Sequence, residues 1–248
     1  MKINILCPSR IRPDRFNAMA ESAQSLAADK SRVHIHLGLD DDDPRFEEYL
    51  YGMPHGVTVH VNDQKRSCPA LLEWLAGEAR GDILLVGSDD ILFRTPRWDD
   101  LLEAEYRSVP DGLLAVAFND LSGRTKWTHF AVGREWYRLV GHLTYAGFEH
   151  FGADEYVERI ATLAGRGRWL KHIVLEHMHK KYRNPDGTPK GPNDASYDAK
   201  RQKAVDGSSM SSRDVVRLQK LVPQMAMLAE RIRNAARSPG LQPLAADG

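Results

Sequence analysis

The sequence predicts an α/β protein built on a mostly parallel sheet, and three observations carry that prediction. Short apolar runs recur through the first half of the chain, at residues 3–7, 33–39, 57–61, 82–87 and 113–118. Segments of helical periodicity separate the first run from the second and the third from the fourth. Polar residues follow the first, second and fourth runs directly, as "PSRIR", "DDDD" and "SDD". In open α/β sheets ligands bind beyond the carboxyl ends of the strands, so these three clusters point to one edge.

The elements follow in order. "INILC" is a buried strand stopped near Pro8. The stretch from Arg12 to Ala28 places Phe16, Met19, Ala23 and Leu26 at helical spacing, with Pro13 in its first turn, where a missing N–H costs nothing. "VHIHLGL" is a second strand and "VTVHV" a third. "CPALLEWLAGEA" puts Leu71, Leu72 and Leu75 on one helical face. "DILLVG" and "LLAVAF" are the fourth and fifth strands. "KWTHFAVGREWYRLVG" reads as a strand running into a helix. "ADEYVERIATLAG" is a helix with Asp154 and Glu155 in its first turn, where acids suit the dipole. "WLKHIVLEHMH" is a strand ending in two histidines. Residues 183–194 have the composition of a loop. Residues 213–235 form an amphipathic helix that Pro223 kinks or interrupts, and the tail from Ser238 is expected to lack order. Two parts are expected: residues 1–182 as the α/β domain, and residues 183–248 as a basic loop, helix and tail.

The 248 residues, 42% hydrophobic and 27% charged, suit an ordinary globular chain. Formal net charge is zero, but residues 166–233 hold 15 Lys and Arg against 7 Asp and Glu, a net +8, and residues 1–165 carry −8. A basic segment attracts phosphates or a polyanion. Cys7 and Cys68 lack metal-ligand spacing, which suggests a reducing compartment. No apolar run has the length of a signal peptide core or a membrane span, so a cytoplasmic location is expected.

Adjacent carboxylates behind a buried strand repel one another unless a cation sits between or beside them. The order "CPSR", Asp40 opening "DDDDP", "SDD", "GADEYV" and "EHMH" resembles the GT-A fold of nucleotide-sugar-dependent glycosyltransferases, over roughly residues 3–182. The same set resembles small glycosyltransferase-like proteins of bacteriophages. A strict D-x-D triplet is absent, because Ser88 stands in the first place.

The resemblance implies a metal-dependent hexosyl- or pentosyltransferase, inverting at the transferred carbon. Its donor would be a nucleotide diphosphate sugar, with a UDP-sugar expected. Its acceptor would be a hydroxyl, with a hydroxylated base in phage DNA suggested by the phage-like resemblance and the basic segment, and a small hydroxylated molecule, a protein or a cell-surface glycan precursor as alternatives. Asp90 would hold Mn²⁺ or Mg²⁺, with Asp89 directly or through water, and His179 or else His177 would complete the shell. Pro8, Ser9, Arg10, Asp40 and Asp89 would line the donor pocket, and Lys65 and Arg66 would face the diphosphate at a helix start. Asp154 is the candidate general base, with Glu155 as alternative. Trp98, Trp127 and His129 are candidates for an acceptor platform. The other three acids of "DDDD" are expected in a solvated loop. Two other readings stand beside this one. A nucleotidyltransferase would use the same ions, but "CPSRIRP" lacks the glycine-rich loop it needs. A binding module could retain the fold without the chemistry.

Overall fold

The structure is a computed structural model that describes residues 1–64, 66–179, 184, 186–190 and 210–237. An eight-stranded sheet runs in the order β3-β2-β1-β4-β7-β6-β8-β5. Its strands are β1 (Ile3–Ser9), β2 (Val33–Asp40), β3 (Val57–Asn62), β4 (Ile83–Val86), β5 (Ile91–Phe93), β6 (Ala115–Asn119), β7 (Phe130–Gly133) and β8 (Gly167–His177). The helices are α1 (Pro13–Leu26), α2 (Phe46–Leu50), α3 (Cys68–Glu78), α4 (Trp98–Arg107), α5 (Arg134–Val140), α6 (Ala153–Ala164), α7 (Met210–Lys220) and α8 (Val222–Arg237).

β1 pairs in parallel with β2 and β4, and β2 with β3. The chain therefore reverses its winding between β1 and β4, which opens a crevice at that point. β7 is antiparallel to both β4 and β6, and β8 is parallel to β6. It follows that β1, β2, β3, β4, β6 and β8 all end on one edge. The start of β7, and the helices α1, α3 and α6 that lead back into β2, β4 and β8, lie at that same edge. By contrast, α4 begins at the opposite edge, where the Arg97 N–H meets the Leu26 carbonyl at the end of α1.

Alternation along the strands explains the two faces. Ile3, Ile5, Cys7, Ile83 and Leu85 face α1 and α4 in one core, which also contains Phe16, Trp98 and Tyr106. Leu6, Leu84 and Val86 face the other core, which takes in Leu72 and Leu75 of α3, Trp136 of α5, Ile160 of α6 and Leu228 and Ile232 of α8. The C-terminal helices thus cover α6 and α5. They are two elements divided at Leu221, with Pro223 at the second position of α8, where it is tolerated.

β5, α2 and α4 add to the elements read from sequence. "ILF" is too short to alternate, and it becomes a strand by pairing with Leu175, Glu176 and His177 of β8. Part of the loop expected at residues 183–194, and the tail from Ser238, lie outside the described residues. No helix among the described residues is long and apolar enough to cross a membrane.

Candidate functional site

The carboxyl edge gathers most of the residues singled out in the sequence. Asp89 and Asp90 follow β4, and the structure separates their roles. Asp89 is 5% exposed and turns into the crevice between β1 and β4. There Ser9 donates its hydroxyl to Asp89 Oδ2 at 2.7 Å, and Arg12 donates to Oδ1 at 2.9 Å. The Ser9 Oγ also lies 2.7 Å from the Tyr49 hydroxyl. Burial pushes the Asp89 carboxyl up, against the opposing pull of Arg12. Its oxygens bind strand ends together, and it is less open to a donor than the sequence suggests.

Asp90 has different partners. Ser88 donates to its Oδ1 at 2.6 Å, and His177 Nε2 lies 3.3 Å from its Oδ2. Burial would raise this carboxyl, but the hydrogen bond and charge of His177 outweigh it and hold Asp90 well below the usual range. His177 and His179 were expected to lie on one strand face, but β8 ends at the first of them. Met178 still donates its N–H to the Asp90 carbonyl at 2.7 Å, opposite it in the register. His179 lies two residues past the end of β8, with its ring 5.6 Å from that of His177. His177 is the histidine in contact with Asp90.

The donor-side residues form a chain of contacts. Arg10 binds Asp40 Oδ2 and Asp42 Oδ1, both at 2.6 Å. Asn62, at the end of β3, donates to Asp40 Oδ1 at 2.5 Å. Arg66 donates to Asn62 Oδ1 at 3.1 Å, and its guanidinium stacks 4.3 Å above Trp74. Pro8 is half-buried within β1. Lys65 lies outside the described residues. The acids after Asp40 are not simply solvated: Asp42 holds Arg10, and buried Asp43 accepts the N–H of Ile11 at 2.8 Å. Ile11 has φ of 63°, a left-handed conformation that side chains rarely adopt. The Asp43 bond helps to fix that turn between Arg10 and Arg12.

The acceptor platform drawn from sequence does not form. Trp98 is fully buried in the α1/α4 core and donates its indole N–H to Ala23 O at 2.9 Å. Trp127 is buried in the opposite core. Neither offers a face to a ligand. A large ring is most often a packing element, and one sequence cannot separate the two uses. His129 is also buried, but it stands edge-on to His177, ring centres 5.0 Å apart, just before β7. Burial lowers it to about 4, the neighbouring His177 adding to the effect. Its Nε2 has no hydrogen-bond partner among the described residues.

Asp154 sits in the first turn of α6. α6 leads into β8 and so begins at the edge where β8 ends. Burial lifts the Asp154 carboxyl to about 6, with Glu155 and Glu158 adding to it. Glu155 is already engaged by Arg159 at 2.6 Å and Lys126 at 3.4 Å. Of the pair, Asp154 has its proton affinity raised and Glu155 has it lowered, and a raised carboxylate suits a base.

Residues that sequence reading passed over include Arg12, Tyr49, Asn62 and Asp120. Asp120, after β6, accepts the Thr128 hydroxyl at 2.8 Å, and its carbonyl accepts the His177 N–H at 3.1 Å. Its position directly after a strand was the available signal.

No group of three or more His, Cys, Asp or Glu placed to hold a metal occurs among the described residues. Asp90 and His177 fit a cation that takes its remaining ligands from phosphate and water, a common arrangement for Mg²⁺ at nucleotide sites.

No protein-family model and no curated protein matches the sequence. Solved structures do match the fold. The mannosyltransferase PcManGT from Pyrobaculum calidifontis, in complex with GDP-Man and Mn²⁺, superposes with a TM-score of 0.59 at 11% identity, over 96% of this chain and 76% of that one. Residues 1–349 of S. aureus TarS give 0.55 at 10% identity, over 71% of this chain. The same TarS fragment with UDP-GlcNAc gives 0.54. The fold is that of the GT-A glycosyltransferases. The chain spans 59% of the TarS fragment it matches.

Proposed function

We propose that this protein transfers a sugar from a nucleoside diphosphate sugar to a hydroxyl acceptor. The observation that carries the reading is the convergence of Asp40, Asp90 and His177 on the carboxyl edge, with Asp90 and His177 in contact beside the crevice between β1 and β4. The matched folds hold UDP-GlcNAc in one case and GDP-Man with Mn²⁺ in another, which supports a donor of this class.

Asp90 and His177 would hold Mn²⁺ or Mg²⁺, the imidazole favouring Mn²⁺. Such an ion supplies Lewis-acid neutralisation of the departing diphosphate. The protein's own groups do the rest. Asp40, fixed by Arg10 and Asn62, presents carboxylate oxygens to the nucleoside. Asp154 removes the acceptor hydroxyl proton as the oxygen forms its bond to the anomeric carbon. The bond from that carbon to the phosphate oxygen breaks, and its electron pair leaves with the diphosphate. One displacement of this kind inverts the anomeric centre.

The acceptor expected from charge, a hydroxylated base in phage DNA, rests on the net +8 of residues 166–233. Several cations of that excess are engaged locally: Arg166 with Asp111, Arg168 with Glu105, Lys190 with Glu176, Arg213 and Arg217 with Glu149, and Arg233 with Glu230. Lys180, Lys181 and Arg183 lie outside the described residues. The paired cations favour a small or carbohydrate acceptor over a polyanion.

The test is a thermal-shift screen of UDP- and GDP-sugars with and without Mn²⁺. A donor that binds only the native state at 100 times its Kd adds about 2.7 kcal/mol. The expected result is a shift that requires both sugar nucleotide and metal. No shift with any donor would remove the reading.

A further inference from the structure

Residues 142–152, between α5 and α6, are pinned from several sides. Glu73 of α3 accepts the N–H groups of Leu143 at 2.7 Å and Thr144 at 3.2 Å. Ser67 donates to the carbonyl of Phe148 at 2.9 Å. Asp214 of α7, 1% exposed, accepts the N–H groups of Glu149, His150 and Phe151, each at 2.9 Å. Arg217 binds the same carboxylate at 2.9 Å. A buried carboxylate is costly unless its oxygens are saturated, and this one is saturated by three successive backbone groups. The loop is therefore held in place just ahead of Asp154.

On this fixed backbone the ring of Phe151 is 42% exposed. His150 stands edge-on to it, ring centres 4.7 Å apart at 86°. A single exposed phenylalanine is ordinary. One whose own N–H is locked to a buried acid, three residues before the candidate base, has a defined position relative to the chemistry. Trp98 and Trp127 are buried, whereas Phe151, three residues ahead of Asp154, is exposed.

We infer that Phe151 is the acceptor platform, stacking on the apolar face of a neutral sugar ring whose hydroxyl is delivered to Asp154. The assignment rests on the glycosyltransferase reading above. Charge selects the ligand. Lys126 and Arg159 ion-pair with Glu155, and Arg213 and Arg217 with Glu149, so these cations are engaged by carboxylates next to an aromatic ring. Carbohydrate recognition uses that combination: C–H groups against a ring, hydroxyls donated to carboxylates. A phosphate backbone would need free Lys or Arg instead.

The test measures transfer from the donor identified by the thermal screen to methyl glycosides of glucose, galactose, mannose and N-acetylglucosamine. A duplex containing 5-hydroxymethylcytosine runs in parallel, and glycoside binding is followed by saturation-transfer NMR. Phe151→Ala is expected to raise the KM for the glycoside at least tenfold while donor Kd stays within twofold. Phe151→Trp should restore the KM, which separates stacking from folding. A glycoside KM unchanged in Phe151→Ala would overturn the inference. So would a wild-type protein that binds donor but neither binds nor modifies any glycoside, or that modifies only the duplex. Failure of the wild type to bind any donor strikes instead at the proposed function.

Discussion

Asp90 and His177 meet at the carboxyl edge, Oδ2 to Nε2 at 3.3 Å, although 87 residues separate them in the chain. The meeting is a consequence of strand order. β5 returns antiparallel beside β8, pairing Ile91 with His177, and Ile91 is the residue after Asp90. The sheet thereby sets a carboxylate and an imidazole side by side.

If this pair holds the cation, both halves are needed and the next histidine is not. Asp90→Ala and His177→Ala should each weaken Mn²⁺-dependent UDP binding at least tenfold, about 1.4 kcal/mol. His179→Ala should change it less than threefold. Calorimetry of UDP with and without Mn²⁺ measures all three. A larger loss in His179→Ala than in His177→Ala would reverse the assignment.

Asp89 leads to a different expectation, because its partners are structural. Replacing Arg12 with Met keeps the stem and removes the charge beside a carboxylate that is 5% exposed. A buried acid stripped of its cation costs about 3 kcal/mol. Urea unfolding should show that loss at pH 7 and much less at pH 3, where Asp89 is protonated. Equal losses at both values would mean that Arg12 acts by packing alone.

Trp98 provides the matching test of the core. Its ring is fully buried against Phe93, centroids 4.6 Å apart, and its N–H is bonded to Ala23. Trp98→Ala should destabilise the protein by about 3–5 kcal/mol. Trp98→Phe keeps most of the volume and should recover much of the stability, with donor and acceptor affinities unchanged wherever the variant is folded. Selective loss of acceptor affinity in a stable Trp98→Phe protein would return this residue to the site.

The same residues show what the sequence can and cannot express. Strands β1, β2, β4 and β6 are legible because burial on both faces demands unbroken apolar runs, and the acids behind them are legible because a charge cannot follow a strand into the core. Asp40 and Asp90 were singled out by that logic, and His177 and His179 by the resemblance. Arg12 and Asn62 were not, since their roles depend on which strand lies beside which, and strand order leaves no local trace. Trp98 and Phe151 show the converse error. A large ring draws attention in a sequence, yet only packing decides that the tryptophan is interior and the lone phenylalanine exposed. His179 was placed by strand alternation, and the strand ends two residues before it.

Asp154 joins stability to activity. Burial lifts its carboxyl from 3.8 to about 6, so in the folded protein it holds its proton more tightly than in the unfolded chain. For a raised carboxyl, the stability tied to the protonated form is complete below about pH 4 and is lost as pH rises through about 6. Above that, the native state carries a destabilising charge of about 3 kcal/mol. Asp154→Asn removes the charge and keeps the shape. It should therefore stabilise the protein at pH 8 by up to that amount and have little effect at pH 4, as followed by urea unfolding at the two values. As the base, Asp154 must be ionised, so the transfer rate of the wild type should rise with pH through about 6. The asparagine variant should lose this limb and fall by about two to four orders of magnitude, with donor affinity retained. Helix capping alone predicts the opposite pair of results: no stability gain at pH 8, since a capping carboxylate favours its charged form, and a transfer rate near normal.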